Sequence, residues 1–543
     1  MDETNEIFEY GINTTKRPTV VTAEELLGKK HQILDHGSLQ LVDYMGGDAA
    51  IINAATNYYG LAAVENIDAK DFLLWLRTQS IRRPFKFAEV KVNIAAPIDA
   101  ALTIVPFEEA SVNEYSGRYS VMPDEFYNAG RRNEVQNILH ELHSTSRTAY
   151  DDLISPDIDL SRELARSVLP LSNYTRFYWK VNLESLFTFL KENQTPHETL
   201  APYITQLRTI AKAVAPLSYQ AFVEIDECRQ RYNNLVSYDE KKIRTLNRII
   251  DTPYGRSETR RFTVENAEEE LFAMHKLLDH GYVSLVDYMG SDESIVQAAR
   301  VSYGRGTKKV SEDRGLVRYL ARHLHTTPSE MIELSFLLNM PFITQRQLIR
   351  HRTLDKTGFL QKQLVEEKYY VPNDEELRSQ LVKNKQGRGE LLVGKAKRLA
   401  QLFLRGSQEL QKVTRHALEE QNVDDDTIRR THGVGFYTNM NVKSDVKNLL
   451  HFYSLRLDDH AQKEIRVFAQ KMAAITQKVA PEAYTAFVDY NQQGLRLSRL
   501  EKKAFSLMHY YNKTMDDAAK EAGLKGRELQ EFTEKMERLK EEE

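Results

Sequence analysis

The stretch LDHGSLQLVDYMGGD, Leu34 to Asp48, returns as LDHGYVSLVDYMGSD, Leu278 to Asp292, and this echo decides how the chain is read. Ala54, Ala55, Tyr59 and Gly60 come back 244 residues later as Ala298, Ala299, Tyr303 and Gly304. Near the end of each copy, VAPLSYQAFV from Val214 matches VAPEAYTAFV from Val479, now 265 residues apart, so copy two carries a net insertion of 21 residues. The charged stretch between Pro372 and Asp426 is the expected place for it. A repeat of about 220 residues is a whole domain, not a solenoid unit.

Working outward, the chain divides into an N-terminal tail (1–27), copy one (28–235), a polar linker (236–270), copy two (271–492) and a helical C-terminal extension (493–543). The extension's DDAAKEAGLKGRELQEF has helical spacing, but its acidic end favours a packing or dimerisation helix over a DNA reader.

At 543 residues the chain is too long for one core. Hydrophobic residues at 41% and charged residues at 28% are ordinary for a globular protein. No apolar run approaches the roughly 18 residues of a membrane span, and the opening MDETNEIFEY lacks the features of a secretory signal, so a cytoplasmic protein is expected. A net charge of −4 gives no general attraction to a nucleic acid polymer or an anionic membrane. The single cysteine, Cys228, excludes an intramolecular disulfide and a cysteine-rich zinc site, and reads as a partly buried thiol.

Strands and helices mix without regular alternation, which predicts an α+β domain. In copy two, Asp292 is expected to cap a helix over ESIVQAARVS, and RGLVRYLARHL forms a second helix ending near His325. ELSFLLNM reads as a buried strand. Pro341 opens a helix over PFITQRQLIRHR whose last turn should hold Arg350, His351 and Arg352. VGFYTNMNV reads as a strand and SDVKNLLHFYSLR as a short helix. Ala461, Ile465, Phe468, Ala469, Met472 and Ile475 share one face of a long final helix.

The densest cationic cluster in copy two is RQLIRHR, Arg346 to Arg352. Its bland reading is a solvated helix end, and its functional reading is a phosphate or flavin grip by planar guanidinium groups. In copy one, Ser116, Gly117 and Arg118 offer a hydroxyl, an approachable backbone and a fork of donors, which is either an ordinary turn or a small anion cradle. His323, His325, His351 and His460 with Asp458 and Asp459 match no standard metal spacing, so no metal is expected. No GxGxxG or P-loop motif is present, so a bound nucleotide must be held by side chains.

Taken in order, these stretches resemble the flavin-dependent thymidylate synthases, whose members carry HxTPxEH, RHRxxSxNExSGRYS, LPxxxYTRFxW and LRxDxHAQxEI. The resemblance covers nearly all of both copies. Copy one has ASVNEYSGRYS and VLPLSNYTRFYW, but Pro106, Phe107 and Glu108 stand at the RHR positions, QSIRRPF at HxTP, and LKENQTPHETL at the late motif. Copy two keeps HLHTTPSEM, RQLIRHR and SLRLDDHAQKEI, while TGFLQKQ and YTNMNV replace the other two stretches. Each stretch survives in one copy and is degraded in the other.

The resemblance implies a homotetramer with active sites at subunit boundaries, so a homodimer of this chain would reproduce the four-domain assembly. By the same resemblance, dUMP would be bound by Ser116, Gly117, Arg118 and Arg176 from copy one and by Gln347, Arg350 and Arg456 from copy two. Arg456, Arg350 and Ser116 would carry the catalysis. FAD would contact Ser302, His325, Thr327, Arg350, His351 and Arg352, with Asn113 and Glu114 joining from copy one. The implied reaction is reductive methylation of dUMP to dTMP, with methylenetetrahydrofolate as carbon donor and NADPH as reductant. Alternatives are another one-carbon transfer to a pyrimidine nucleotide, such as hydroxymethylation, and a catalytically silent nucleotide-binding scaffold. His451 stands at the family's late-helix Asn, Asn439 at the YTR arginine, and Tyr58 at the copy-one position of Ser302, where it would plug the redundant site.

Overall fold

The strand grown from LQLVDYM is buried on both faces, and both faces are needed. The computed structural model describes residues 12–59, 68–107, 109–116, 120–128, 133–232, 257–303, 313–357, 368–380, 388–423, 434–458 and 461–541. Contacts divide the chain into two compact units, Met1–Ala483 and Tyr484–Glu543. Among the described residues, no helix is long and apolar enough to cross a membrane.

The strands of the first half are β1 (Asn13–Thr15), β2 (Lys30–Ile33), β3 (Gly37–Met45), β4 (Glu89–Pro97), β5 (Ala110–Glu114) and β6 (Tyr174–Asn182). Those of the second half are β7 (Ser257–Thr259), β8 (His275–Leu277), β9 (Gly281–Met289), β10 (Glu333–Pro341), β11 (Asp355–Thr357), β12 (Arg378–Gln380), β13 (Arg388–Leu391) and β14 (Tyr437–Asp445). Each half builds a five-stranded antiparallel sheet, ordered β2-β3-β4-β6-β5 and β8-β9-β10-β14-β11. Helices pack on these sheets, giving the expected α+β architecture twice.

Alternation along β4 shows why both faces are buried. Val90, Val92 and Ile94 join Phe177, Trp179 and Val181 in the core of their own half. The side chains on the alternate face, Glu89 and Lys91, turn instead toward the other half. A register shift at Val42, repeated opposite Ser335 and Phe336, bends β3 and β9 alike. Asp43 and Asp287 meet at this seam. Gly290 N–H donates to Asp43 at 3.1 Å and Gly46 N–H to Asp287 at 2.9 Å, while Arg261 bonds both carboxylates at 3.2 Å. Both glycines have φ of +76°, and an added Cβ would lie 2.5 Å from Phe87 O or 2.6 Å from Ser294 Oγ.

A second charged group lies fully buried where the halves meet. Lys180 and Lys443 each contact both Glu89 and Glu333. Burial opposes the charged lysines, but Glu333 and Glu89 override it and raise both above the ordinary lysine range. Lys91 breaks the symmetry, since its counterpart is Ser335; burial lowers it to about 8, and it donates to Ser294 at 3.1 Å.

The pseudosymmetry runs upstream of 28 and 271. β1 pairs antiparallel with β7, and Arg17 and Arg261 lie over the rings of Tyr288 and Tyr44 at 4.1 and 4.7 Å. The sequence carries this signal, because TKRPTV from Thr15 matches TRRFTV from Thr259 at the same offset of 244. The insertion is located as well. Phe126 bridges to Asn173 and Tyr369 to Phe436, so the offset rises from 243 to 263 between these points, where copy two adds the β12–β13 hairpin and a longer helix.

Two local expectations change. Asp292 opens its helix, but its carboxylate accepts the N–H groups of Glu482 and Ala483 at 2.7 and 3.0 Å, and so caps the helix beginning at Pro481. Asp48 does the same for Leu217 and Ser218. Ala461 lies in the turn before the helix Lys463–Val479, whose inner face buries Ile465, Phe468, Ala469, Met472 and Ile475.

The second unit holds the helices Arg499–Tyr511, Met515–Ala522 and Gly526–Glu541. Ser498 and Glu501 form a capping box, and Ala504, Ala519, Leu524, Phe532 and Met536 make a small core.

Candidate active site

Pro341 ends β10 and the chain enters the helix Phe342–Leu348, anchored by buried Leu348 and by Gln345, which donates to Thr438 O at 3.1 Å. The helix stops there, earlier than the sequence suggests. Arg350 N–H reaches back to Gln347 O and His351 N–H to Leu348 O, three residues each, and Lys356 Nζ holds the carbonyls of His351 and Leu354. These bonds place Arg350, His351 and Arg352 on a tight turn beyond the helix. The turn aims His351 inward and leaves both arginines at the surface.

His351 is buried, edge-on to Phe452 with ring centroids 4.8 Å apart. Arg456, the last residue of the helix Val446–Arg456, donates through Nε to His351 Nε2 at 2.9 Å. An acceptor nitrogen cannot carry a proton, so the imidazole is neutral and protonated on Nδ1. Burial, then the charges of Arg456, Lys356 and His451, lowers this histidine to about 4. Burial and the neighbouring charge of Arg350 also lower Arg456. Gln347, one turn before Arg350, donates through Nε2 to Gln462. Among the described residues, no carboxylate pairs with Arg350 or Arg456. Two neighbouring guanidinium groups with no carboxylate partner among the described residues are suited to a multiply charged anion.

His325 and Thr327 are exposed just beyond the helix Asp313–Arg322, with the rings of His323 and His325 6.4 Å apart. Leu324 between them has φ of +57°, but Ser80, its counterpart in copy one, has the same value. The strain therefore belongs to the turn shared by both repeats, not to the site.

Copy one supplies a different set. Asn113, at 6% exposure on β5, donates through Nδ2 to the carbonyl of Thr327 at 3.4 Å, so β5 of one repeat is brought against HTTP of the other. Val42 and Tyr178 pack with Ala298 and Met331 beside this contact. Thr175 donates to Glu114 at 2.8 Å, and Glu114 is raised by partial burial. The backbone carbonyl of Ser116 accepts from Ser120 N–H at 3.1 Å; Gly117 and Arg118 lie outside the described residues. Arg176 bonds Glu125 at 3.0 and 3.2 Å, while its buried Nε has no partner. The side chains of Ser302, Tyr58 and Cys228 also lie outside the described residues.

The degraded positions are filled by packing. Phe107 stands where copy two has His351, in edge contact with Phe189 and Trp179 at 5.3 and 6.4 Å. Asn439 replaces Arg176 and accepts from Asn339 at 2.7 Å. Lys356, which pins the arginine turn, and Gln462 were not singled out from sequence; their signal was only their place in the motifs' neighbourhood.

The fold and site define a duplicated α+β domain with a cationic cluster in one repeat, without a paired carboxylate among the described residues, and a complementary strand end in the other. The sequence model of the family described as "Thymidylate synthase complementing protein" matches residues 40–217 and 284–482. The chain belongs to this family, that of the flavin-dependent thymidylate synthases. It is 39% identical over 275 residues to the flavin-dependent thymidylate synthase of Ehrlichia ruminantium (strain Gardel), covering 50% of this chain and 92% of the relative. It is 41% identical over 242 residues to that of Wolbachia pipientis wMel, covering 44% and 85%. Among solved structures, a UMP/dUMP methylase PolB from Streptomyces cacaoi bound with 5-Br UMP is 28% identical with a TM-score of 0.37, over 40% of this chain and 96% of that one.

Proposed function

We propose that this chain is an FAD-dependent thymidylate synthase that methylates dUMP reductively to dTMP at a site shared by its two repeats. Methylenetetrahydrofolate is the carbon donor and NADPH the reductant. The observation that carries this reading is the division of labour. Arg350, His351 and Arg456 cluster only in copy two, Asn113, Glu114 and Arg176 stand only in copy one, and Asn113 reaches Thr327 across the seam.

The residues present fit the two ligands. The charges of Arg350 and Arg456, which meet no carboxylate among the described residues, suit the phosphate and uracil oxygens of dUMP, with Gln347 beside them and with Ser116, Gly117, Arg118 and Arg176 as the opposing wall. His325, Thr327, His351, Arg352 and Ser302, together with Asn113 and Glu114, would hold FAD. Bound flavin supplies the reducing equivalents that a thiolate-free route requires, since Cys228 lies outside every matched stretch. Arg350 and Arg456 then stabilise negative charge developing on the uracil carbonyls. Neutral His351 fixes the Arg456 guanidinium without competing for that charge.

The test is product analysis after incubating the purified protein with dUMP, methylenetetrahydrofolate, NADPH and FAD. Formation of dTMP supports the reading. A hydroxymethylated nucleotide redirects it to another one-carbon transfer, and a colourless protein that takes up no FAD overturns it.

A further inference from the structure

We propose that copy one carries a nucleotide site of its own, apart from the Arg350–Arg456 cluster: a cavity of about 580 Å³ that takes a nucleoside di- or triphosphate. It opens among the helices Ala69–Thr78, Leu183–Glu192, Ala201–Val214 and Pro216–Tyr232, and every residue that lines it belongs to copy one. Its volume is that of an ordinary small-molecule pocket. Arg77, Arg82, Lys191 and Arg208 stand round it, against the carboxylates of Glu184 and Glu192. The repeat shows that these cations are not part of the shared fold. Copy two has Ala321, Thr326, Ser454 and Ala473 at the four counterparts, at offsets of 244, 244, 263 and 265. Copy two keeps the HTTP, arginine and late-helix stretches, so the four cations are a departure of copy one and not a remnant of the motifs it lost. Packing does not call for them either, since the equivalent helices of copy two pack without them.

Pairing within the chain leaves much of this charge over. Arg77, 10% exposed, bonds Glu184 through Nη1, while its buried Nε has no partner. Arg82 lies 3.6 Å from the other oxygen of the same carboxylate, so one Glu184 serves two guanidinium groups. Arg208 donates to the carbonyl of Leu190 at 3.1 Å, and neither it nor Lys191 meets a carboxylate among the described residues. Three cations thus remain once Arg77 and Glu184 are matched, enough to grip more than one phosphate. The wall between them is aromatic. Phe187 and Phe222 stack with centroids 4.5 Å apart and planes 2° from parallel, and the Arg77 guanidinium lies 5.5 and 6.0 Å from the two centroids. Val223, 54% exposed, continues this apolar surface. A flat ring resting on the apolar wall, with phosphates among the cations, satisfies both parts of the cavity at once, which a bare phosphate does not. With no P-loop in the chain, phosphates must be gripped by side chains, and planar guanidinium groups do this bidentately.

Isothermal titration calorimetry of the full chain reads this site without reference to flavin or turnover. ATP or UTP is expected to bind at about 10–100 µM, and inorganic tripolyphosphate at least tenfold more weakly because it lacks the ring. Arg82→Thr with Lys191→Ser gives two exposed positions the residues of copy two; it is expected to keep the circular dichroism spectrum and weaken nucleotide binding at least tenfold. Should that pair unfold the chain, Arg208→Ala alone is expected to show the same direction of loss. Arg350→Ala is expected to leave this binding intact, and saturating dUMP not to displace it. Failure of both nucleotides to bind, tripolyphosphate binding as tightly as they do, or binding that Arg350→Ala abolishes and the copy-one variants keep overturns the proposal.

Discussion

Arg456 donates to His351 across 2.9 Å, so a cation that is expected to meet substrate is oriented by a histidine that must stay neutral to do so. Burial and Arg456 itself keep His351 neutral down to about pH 4, against roughly 6.5 for a free imidazole.

Ligand binding is therefore expected to be flat from pH 8 to about 6 as far as this residue is concerned, and to fall only as His351 titrates near 4. Stability follows the same group. Its contribution is full above about 6.5 and is lost as pH falls from there toward the folded-state value. Flavin absorbance titrations at stepped pH check this; a midpoint near 6.5 assigned to His351 contradicts it.

Substitutions in different repeats are expected to act on one reaction. Arg350→Ala and Arg456→Ala in copy two and Arg176→Ala in copy one should each lower kcat/KM by about 10²–10³-fold. Pro106→Ala, at the counterpart of Arg350, should leave it within about twofold. Steady-state kinetics decide. A chain in which only one repeat matters would not need both halves of the motif set.

The seam should be fragile to loss of a single charge. Arg261 is fully buried between Asp43 and Asp287. Arg261→Ala leaves two carboxylates buried without their cation and is expected to destabilise by about 3–5 kcal/mol. The urea midpoint measures it, and a loss under about 1 kcal/mol means water reaches the seam.

Asp292 gives a pH effect of opposite sign. Burial raises it to about 6, with the N–H bonds from Glu482 and Ala483 pulling the other way. Its contribution to stability is full below the unfolded value of about 3.9 and is lost as pH rises through 6. Asp292→Ala should cost about 1 kcal/mol through the lost cap, and hydrogen exchange at Glu482 and Ala483 should quicken.

Much of the site's composition was readable in one dimension. The 244-residue echo and the five stretches divided between copies are properties of the string, because motifs and offsets survive without coordinates. The strand at Glu333–Pro341 was legible too, since a doubly buried strand shows as a run of apolar residues, whereas Tyr437–Asp445 is mostly polar and only the VGFYTNMNV stretch reads as a strand. The helix end at Leu348 was not. Periodicity continues through RQLIRHR, while the turn that follows the helix is held by Lys356, eight residues beyond Leu348, through the carbonyls of His351 and Leu354.

By itself, then, the sequence determined that the chain is a duplication, that its domains mix helix and sheet, and that family motifs are shared out between two copies. Only the tertiary structure decided that Asn113 meets Thr327, that Arg456 is tied to a neutral His351, and that buried Glu and Lys pairs lock the repeats together. The reason is physical: local propensity acts over a few residues, whereas these contacts join side chains separated by a hundred residues or more, and their energies depend on a burial that exists only after both halves have folded.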